Sequence, residues 1–134
     1  PGSAGFIADY GVEAFLEVCR DLVAARQRVT VLAAADLAHA GPCFGDAFEL
    51  TDDVLRRVRD RDAADLTRAL AMDAAGFYDS VMTDENARRV CGLNAVYAAL
   101  SATPGAPAPG ILADYGMAAD PAGGVVSFAG IIFP

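Results

Sequence analysis

The chain has 134 residues, which is enough for one compact domain with its own core. Its residues are 54% apolar and 21% charged, proportions typical of a globular chain rather than a disordered one. The formal net charge is −8 and all ten basic residues are arginine. A nucleic-acid-binding protein needs a phosphate-facing basic surface, so we expect no nucleic acid partner.

The chain shows no targeting or membrane signal. No segment approaches the roughly 18 consecutive apolar residues of a membrane span, and the N-terminal residues lack the basic start and apolar stretch of a signal peptide. The three cysteines, Cys19, Cys43 and Cys91, lack CxxC spacing, which argues against a disulfide framework and a zinc ribbon. We therefore expect a cytoplasmic protein with no membrane contact.

Hydrophobic spacing predicts the elements of the first half. Residues 11–26 carry apolar side chains at intervals of three and four, the pattern of an amphipathic helix. Residues 29–35 are apolar except for one threonine, which is typical of a central strand covered on both faces. Glycines and a proline in residues 40–46 then predict a loop.

The second half reads as helices followed by two strands. Residues 51–73 predict one or two helices, with Thr51 or Asp52 as N-cap and the Asp and Arg side chains on a solvated face. Shorter helices are predicted over residues 74–82 and from about Gly92 or Asn94. Residues 111–118 and 125–133 predict an antiparallel hairpin. The fold class is therefore α/β, with so few strands that the chain either pairs with another copy or is part of something larger.

The end of the first predicted strand carries the first candidate site residues. Asp36 and His39, the single histidine of the chain, follow the apolar run, and Gly41 permits close backbone approach. Open α/β sheets bind ligands at the carboxyl ends of their strands, so both side chains can face one crevice. In the alternative interpretation, His39 only bonds a backbone carbonyl and Asp36 only caps the next turn.

Cys91 is the cysteine with the strongest indication of reactivity. It follows Arg88 and Arg89 and precedes a predicted helix, and both a helix N-terminus and guanidinium groups favour the thiolate. We expect Cys19 to be a core residue and Cys43 to take no part. An imidazole, a carboxylate and a thiolate together suit a late first-row metal or a thiol nucleophile with its base. Spacing alone does not place Cys91 near His39.

Three segments in this order carry a family resemblance: VLAAADLAHAGPCFGD, VCGLNAVYAAL and ILADYGMAADPAGGVVSFAG. They resemble the C-terminal half of Memo-like proteins, which include the AmmeMemoRadiSam system protein B. The shared features are an Asp-x-x-His-x-Gly turn after a strand, a Cys-Gly pair before a helix, and two closing strands. Cys43 departs from the arginine that is common in bacterial relatives, so a positive charge is lost there.

The resemblance implies a fold and a metal site. The family fold is a three-layer α/β/α sandwich with a mixed sheet, similar to the class III extradiol dioxygenases, and residues 1–134 would form the C-terminal half of one such domain. Asp36, His39 and Cys91 match positions lining the family's site, with His39 and Cys91 as metal ligands and Fe(II) or Cu as the ion. Two further histidines of that site come from the family's N-terminal half, which this chain lacks.

Three functional hypotheses follow. The first is a metal or redox site that becomes competent only when an N-terminal half-domain, from the same gene or a partner chain, supplies the remaining ligands; an apolar edge left exposed without that half would favour self-association. The second is a non-catalytic module of the same fold that binds a partner or peptide. The third, ranked last, is a hydrolase with Cys91 as nucleophile, His39 as base and Asp36 orienting the ring.

Overall fold

A computed structural model describes residues 10–26, 28–103 and 109–133 of the chain, together with Gly5 and Gly105. Within these residues four helices accompany one small sheet. In chain order the elements are α1 (Tyr10–Ala24), β1 (His39–Ala40), a 3-10 turn (Pro42–Phe44), α2 (Asp52–Leu70), α3 (Ala74–Met82), α4 (Leu93–Ala102), β2 (Ile111–Asp120) and β3 (Gly124–Ile132).

The predicted helices and hairpin are confirmed. The hydroxyl of Thr51 accepts a hydrogen bond from the Val54 amide at 3.3 Å and caps α2, an interaction that contributes about 1 kcal/mol. Asp73 caps α3 in the same way through the Gly76 amide, at 2.8 Å. These elements are predictable because their signals, apolar periodicity and a capping side chain, are local in sequence.

The sheet has the order β1-β3-β2, and its described strand pairs are antiparallel. This sheet and the four helices together confirm the α/β class. The parallel strand pairs of a mixed sheet are not found among the described strands. One face of the hairpin, with Tyr115, Ala129 and Ile131, packs against the main core. The opposite face carries Phe128 and Ile132, which are exposed.

The main core forms between the helices and the inner face of the hairpin. Phe77 and Val81 of α3 lie at its centre and are almost completely buried. The largest side chains around them come from α1, α2 and α4, namely Leu16, Leu66, Leu93, Tyr97 and Leu100. A second, smaller cluster joins β1 and β3 to α2 through Ala38, Ala40, Val58 and Val125.

The strand predicted over residues 29–35 is wrong. This segment has no regular secondary structure and no strand partner among the described residues, and Val29, Val31 and Leu32 are exposed, Leu32 by 83%. Pairing with β3 begins only at the end of the run, where the Leu37 amide donates to the Ser127 carbonyl at 2.8 Å. An apolar run becomes a buried strand only when a neighbouring strand and a covering layer exist, and the described residues supply neither for this segment.

The prediction that the charges of residues 51–73 lie on a solvated face is wrong for two aspartates. Asp62 and Asp65 have exposed fractions of 0%, and Arg88, which pairs with both, is also buried. The remaining acidic and basic side chains of α2 are exposed or half-buried. The apolar stripe of α1 is less buried than the sequence predicts. Only Leu16 is buried, Cys19 is half-buried, and Phe15 and Leu22 are exposed.

No helix in the described ranges is both long enough and apolar enough to cross a membrane.

Candidate metal site

Ser127 of β3 anchors the segment that carries the first two candidate residues. Its hydroxyl accepts a hydrogen bond from the Ala38 amide at 2.9 Å, and its backbone amide donates to the Ala38 carbonyl at the same distance. Ser127 and Ala38 are both completely buried. His39 then pairs with Val126 of β3, so pairing with this neighbouring strand fixes the position of the His39 backbone.

Two backbone carbonyls orient the ring of His39. Nδ1 lies 3.2 Å from the Leu37 carbonyl oxygen and 3.1 Å from the Arg89 carbonyl oxygen. Because a carbonyl oxygen can only accept, Nδ1 carries the proton in the neutral ring, and Nε2 presents its lone pair. The Phe44 ring packs edge-on against the imidazole, with centroids 5.2 Å apart. The ring is thus arranged as in proteins where a backbone acceptor fixes the tautomer of a metal-binding histidine.

Gly92 brings Cys91 close to Asp36. The Gly92 amide donates to the Asp36 carbonyl at 3.1 Å, and a Cβ at this position would lie 2.8 Å from that oxygen and 3.1 Å from the Ala35 Cβ. Only glycine permits this approach without a shift of backbone. The Sγ of Cys91 consequently lies 3.6 Å from the Asp36 carbonyl oxygen.

Asp36, His39 and Cys91 converge. Each offers one ligand atom, and these atoms all lie within 4.8 Å of one another. Asp36 approaches the unprotonated nitrogen of the ring, with Oδ2 at 3.9 Å from Nε2. Asp36 and Cys91 are exposed and His39 is half-buried, so the group lies in an open surface site. Cys43, which we expected to take no part, is free and exposed and does not belong to this group.

A comparison with protein-family models matches residues 7–132 to the model described as Memo-like protein. The chain belongs to the Memo-like family. The matched range includes all three residues of the site, and the relation of the fold to extradiol dioxygenases is consistent with this membership. Comparisons with curated proteins and with solved structures gave no match.

The donor set of this Memo-like chain fits a transition metal. An imidazole nitrogen, a thiolate and a carboxylate are ligands for iron, copper or zinc, and three protein donors leave positions open for further ligands. The set differs from the two-histidine, one-carboxylate triad of many non-haem iron enzymes, because the chain has only one histidine.

The two arginines before Cys91 do not serve the predicted role. Sequence analysis placed their charges near the thiol, but both guanidinium groups pair with carboxylates. Arg88 contacts Asp62 and Asp65, each at 2.7 Å, and Arg89 contacts Asp46 at 2.8 Å. This hydrogen bond from Arg89 holds the pKa of Asp46 below its usual value.

Sequence reasoning missed a buried polar network that joins α2 to the site. Asp62 accepts hydrogen bonds from Arg88 at 2.7 Å and from the Tyr115 hydroxyl at 2.9 Å, and it also interacts with Ser127. Burial raises the pKa of Asp62, while the hydrogen bonds from Ser127 and Tyr115 and the charge of Arg88 oppose the rise. The network therefore contacts Ser127, which holds Ala38, and Arg88, which lies three residues before Cys91.

One sequence signal indicates the buried aspartates. The buried residues of α2 form a single helical stripe at spacings of three, four and one, in which Asp62 and Asp65 occupy core positions: Val54, Val58, Asp62, Asp65, Leu66 and Ala69. A carboxylate at such a position requires a cationic partner. The sequence does not show which arginine that is, because Arg88 lies 26 residues beyond Asp62.

Proposed function

We propose that this Memo-like protein binds an Fe(II) or Cu ion through His39 and Cys91, with Asp36 as a third ligand. The observation that carries the proposal is the orientation of the imidazole. Its Nδ1 is bonded to two backbone carbonyls, so Nε2 is the nitrogen that offers a lone pair, and Asp36 Oδ2 lies 3.9 Å from Nε2. Cys91 belongs to the same group of ligand atoms, which all lie within 4.8 Å of one another.

Bound iron or copper would supply oxygen-dependent redox chemistry at this site. The chain's own residues would hold the ion, with the thiolate favouring Cu(I) or iron over Mg²⁺ and Ca²⁺. Further ligands would come from another polypeptide segment, such as an N-terminal half-domain, from a second copy, or from water. The three unpaired cysteines favour a reducing compartment such as the cytoplasm, where Cys91 stays a thiol.

The test is an anaerobic titration of the purified chain with Fe(II) and, separately, with Cu(I), followed by desalting and metal analysis. We expect near-stoichiometric retention of one ion in the wild type and loss of retention in Cys91→Ser and in His39→Ala. Cys43→Ser is the matched control, since Cys43 is an exposed free cysteine outside the group. Retention that is equal in the wild type and in both site variants would contradict the proposal.

A second candidate function is a non-catalytic module that binds a protein partner. The exposed apolar face of the hairpin, with Phe128 and Ile132, favours this alternative, because large exposed apolar patches often mark interaction sites. It predicts weak metal binding that Cys91→Ser leaves unchanged.

The thiol hydrolase hypothesis is disfavoured by the ring geometry. In a catalytic triad the carboxylate accepts from one ring nitrogen while the other faces the nucleophile. Here backbone carbonyls occupy Nδ1, and Asp36 lies at Nε2, the nitrogen that would have to take the thiol proton. Rapid alkylation of Cys91 at neutral pH that His39→Ala suppresses would restore this hypothesis.

A further inference from the structure

The carbonyl of Arg89 holds the His39 ring although the two residues lie 50 positions apart. Arg89 has a φ of 52°, in the left-handed region that residues with a Cβ seldom adopt. Such a conformation is strained and persists only when surrounding contacts enforce it. The backbone is held there by the hydrogen bond of the Arg89 amide to the Asn86 carbonyl at 2.9 Å and of the Val90 amide to the Asn86 side chain at 2.7 Å, and the Arg89 side chain adds contacts of its own.

Those contacts lead back to the His39 segment. The Arg89 guanidinium donates to Asp46 Oδ1 at 2.8 Å and approaches the His39 carbonyl at 3.4 Å. The other oxygen of Asp46 accepts from the Gly41 amide at 2.8 Å, and the Asp46 amide approaches the Gly41 carbonyl at 3.3 Å. We call the pair of Asp46 and Arg89 the clasp, because it ties the turn after His39 to the segment that carries Cys91.

Gly41 fixes the other side of the clasp. Its φ is 115°, and a Cβ there would lie 2.6 Å from the Gly123 carbonyl oxygen and 2.9 Å from the Gly124 Cα. The turn that Asp46 closes thus packs closely against the β2–β3 connection, with no room there for a side chain. The side chain of Asp46 has an exposed fraction of only 12%, so solvent screens its ion pair less than it screens a fully exposed pair.

We propose that the clasp is a positioning device: it holds the Arg89 carbonyl against Nδ1 of His39, fixes the ring tautomer together with the Leu37 carbonyl, and thereby raises the metal affinity at Nε2. The affinity part rests on the proposed metal-binding function, whereas the tautomer part does not. Outer contacts of this kind typically change metal affinity by 10-fold to 100-fold when they are removed.

The experiment uses the single histidine of the chain as its probe. Long-range proton–nitrogen NMR correlations of ¹⁵N-labelled, metal-free protein at about pH 9, where an ordinary imidazole is neutral, report which ring nitrogen carries the proton. The variants are Asp46→Asn, Arg89→Met and the double variant, with Arg89→Lys as the conservative replacement. Fe(II) and Cu(I) affinities are measured on the same proteins, and urea unfolding confirms that each is folded.

The matched control is the ion pair between Asp53 and Arg56 on α2. Both side chains are more than 60% exposed, and the pair joins residues only three positions apart. Asp53→Asn and Arg56→Met remove the same charges and should leave the tautomer and the metal affinity unchanged. Any general effect of charge on metal binding would show in this control.

We expect the wild-type ring to be protonated at Nδ1 alone. Asp46→Asn and Arg89→Met should each give a mixture of tautomers and weaken metal binding by about 10-fold. The double variant should lose no more than the single variants, because both remove one interaction, and Arg89→Lys should recover most of the affinity.

A wild-type tautomer in both folded clasp variants overturns the proposal, as does an effect of equal size in the control pair. If the wild type retains no metal, the proposed metal-binding function fails, and the tautomer still decides the role of the clasp. A mixed tautomer in Asp46→Asn and Arg89→Met then supports the clasp, and a single tautomer overturns it.

Discussion

His39 satisfies two interpretations that the sequence presented as alternatives. The imidazole bonds to backbone carbonyls, as a structural histidine does, and the same bonds leave Nε2 unprotonated. A metal-binding histidine needs this arrangement, because a ligand nitrogen must offer a lone pair. The structural contacts of His39 are therefore a condition for the proposed function and do not compete with it.

Gly92 decides the position of Cys91, and its replacement tests this directly. In Gly92→Ala the new Cβ would meet the Asp36 carbonyl oxygen at 2.8 Å, so one backbone segment must shift. We expect a loss of about 1–3 kcal/mol in the free energy of unfolding, as for other overpacked sites. Metal affinity should fall in the same variant because Cys91 moves away from Asp36. Urea unfolding and metal titration measure the two effects.

Gly130→Ala is the control for this substitution. A Cβ at Gly130 meets its nearest neighbour, the Ala113 Cβ, at 3.8 Å, an ordinary contact. This variant should keep its metal affinity and change stability by less than about 0.5 kcal/mol. Equal behaviour of the two alanine variants would show that the close approach at Gly92 does not matter.

The sequence identified Asp36, His39 and Cys91 individually, yet it did not show that they meet. The turn of four residues from Asp36 to His39 is local, whereas Cys91 lies 55 positions from Asp36. Their contact depends on the hydrogen bond of the Gly92 amide to the Asp36 carbonyl and on the ion pair of Arg88 with Asp62 of α2. It also depends on the hydrogen bond of the Ala38 amide to Ser127 of β3. The family resemblance, and not the residue spacing, predicted that Cys91 lies in one site with Asp36 and His39.

At the scale of elements, the network around Arg88 joins α2 to the segment that follows α3. Arg88 is buried with Asp62 and Asp65, while Tyr115 and Ser80 donate to the remaining carboxylate oxygens. Burial of these groups is tolerated because nearly all of them are paired. The network therefore fixes the relative positions of α2, α3 and the hairpin.

Replacement of Arg88 by methionine should be strongly destabilising. The variant leaves two carboxylates buried without a cation, and removal of one partner from a buried ion pair costs about 3–5 kcal/mol. Adding Asp62→Asn and Asp65→Asn should recover part of the loss, because the uncompensated charges are then absent. Urea unfolding of the three-substitution protein beside Arg88→Met measures the recovery.

Arg56→Met is the comparison for Arg88→Met. Its partner Asp53 is exposed, and exposed pairs contribute at most about 1 kcal/mol. A loss in Arg88→Met no larger than that in Arg56→Met would contradict the importance assigned to the buried network.

Elements differed in predictability according to where their partners lie. The helices and the hairpin carry local signals, namely apolar periodicity, caps at Thr51 and Asp73, and a short connection between strands. The failed strand over residues 29–35 carries only apolar composition, and strand formation depends on a partner elsewhere in the chain. The buried faces of α2 were misjudged because charged residues were assigned to solvent by type rather than by position in the helical stripe.

At the scale of the whole molecule, and within the described residues, one face of the hairpin packs against the helices and the other carries exposed apolar side chains. Strand register places Ile111, Phe128 and Ile132 on the same face, where their exposed fractions are 57%, 43% and 58%. β2 is also an edge strand of the described sheet. Such a surface promotes association in water.

We expect the chain to self-associate through this face. Phe128→Thr combined with Ile132→Thr places β-branched residues, which suit strands, at both positions while it removes apolar area, so dimerisation should weaken by about 10-fold. Sedimentation velocity over a range of protein concentrations measures this change. Val29→Thr, an exposed apolar position outside the hairpin, is the control. A wild-type chain that stays monomeric at all concentrations would contradict the prediction.

Asp36 lies where the mostly exposed segment of residues 29–35 joins the sheet, and this position links ligand binding to conformational entropy. Leu37 is buried and bonded to β3, but the residues before Asp36 have no strand partner among the described residues. An ion bound by Asp36 that restricted this segment would cost about 1–2 kcal/mol of backbone entropy for each residue ordered. A polypeptide that pairs with residues 29–35 would already have ordered them, and it would raise the affinity for the ion without contacting it.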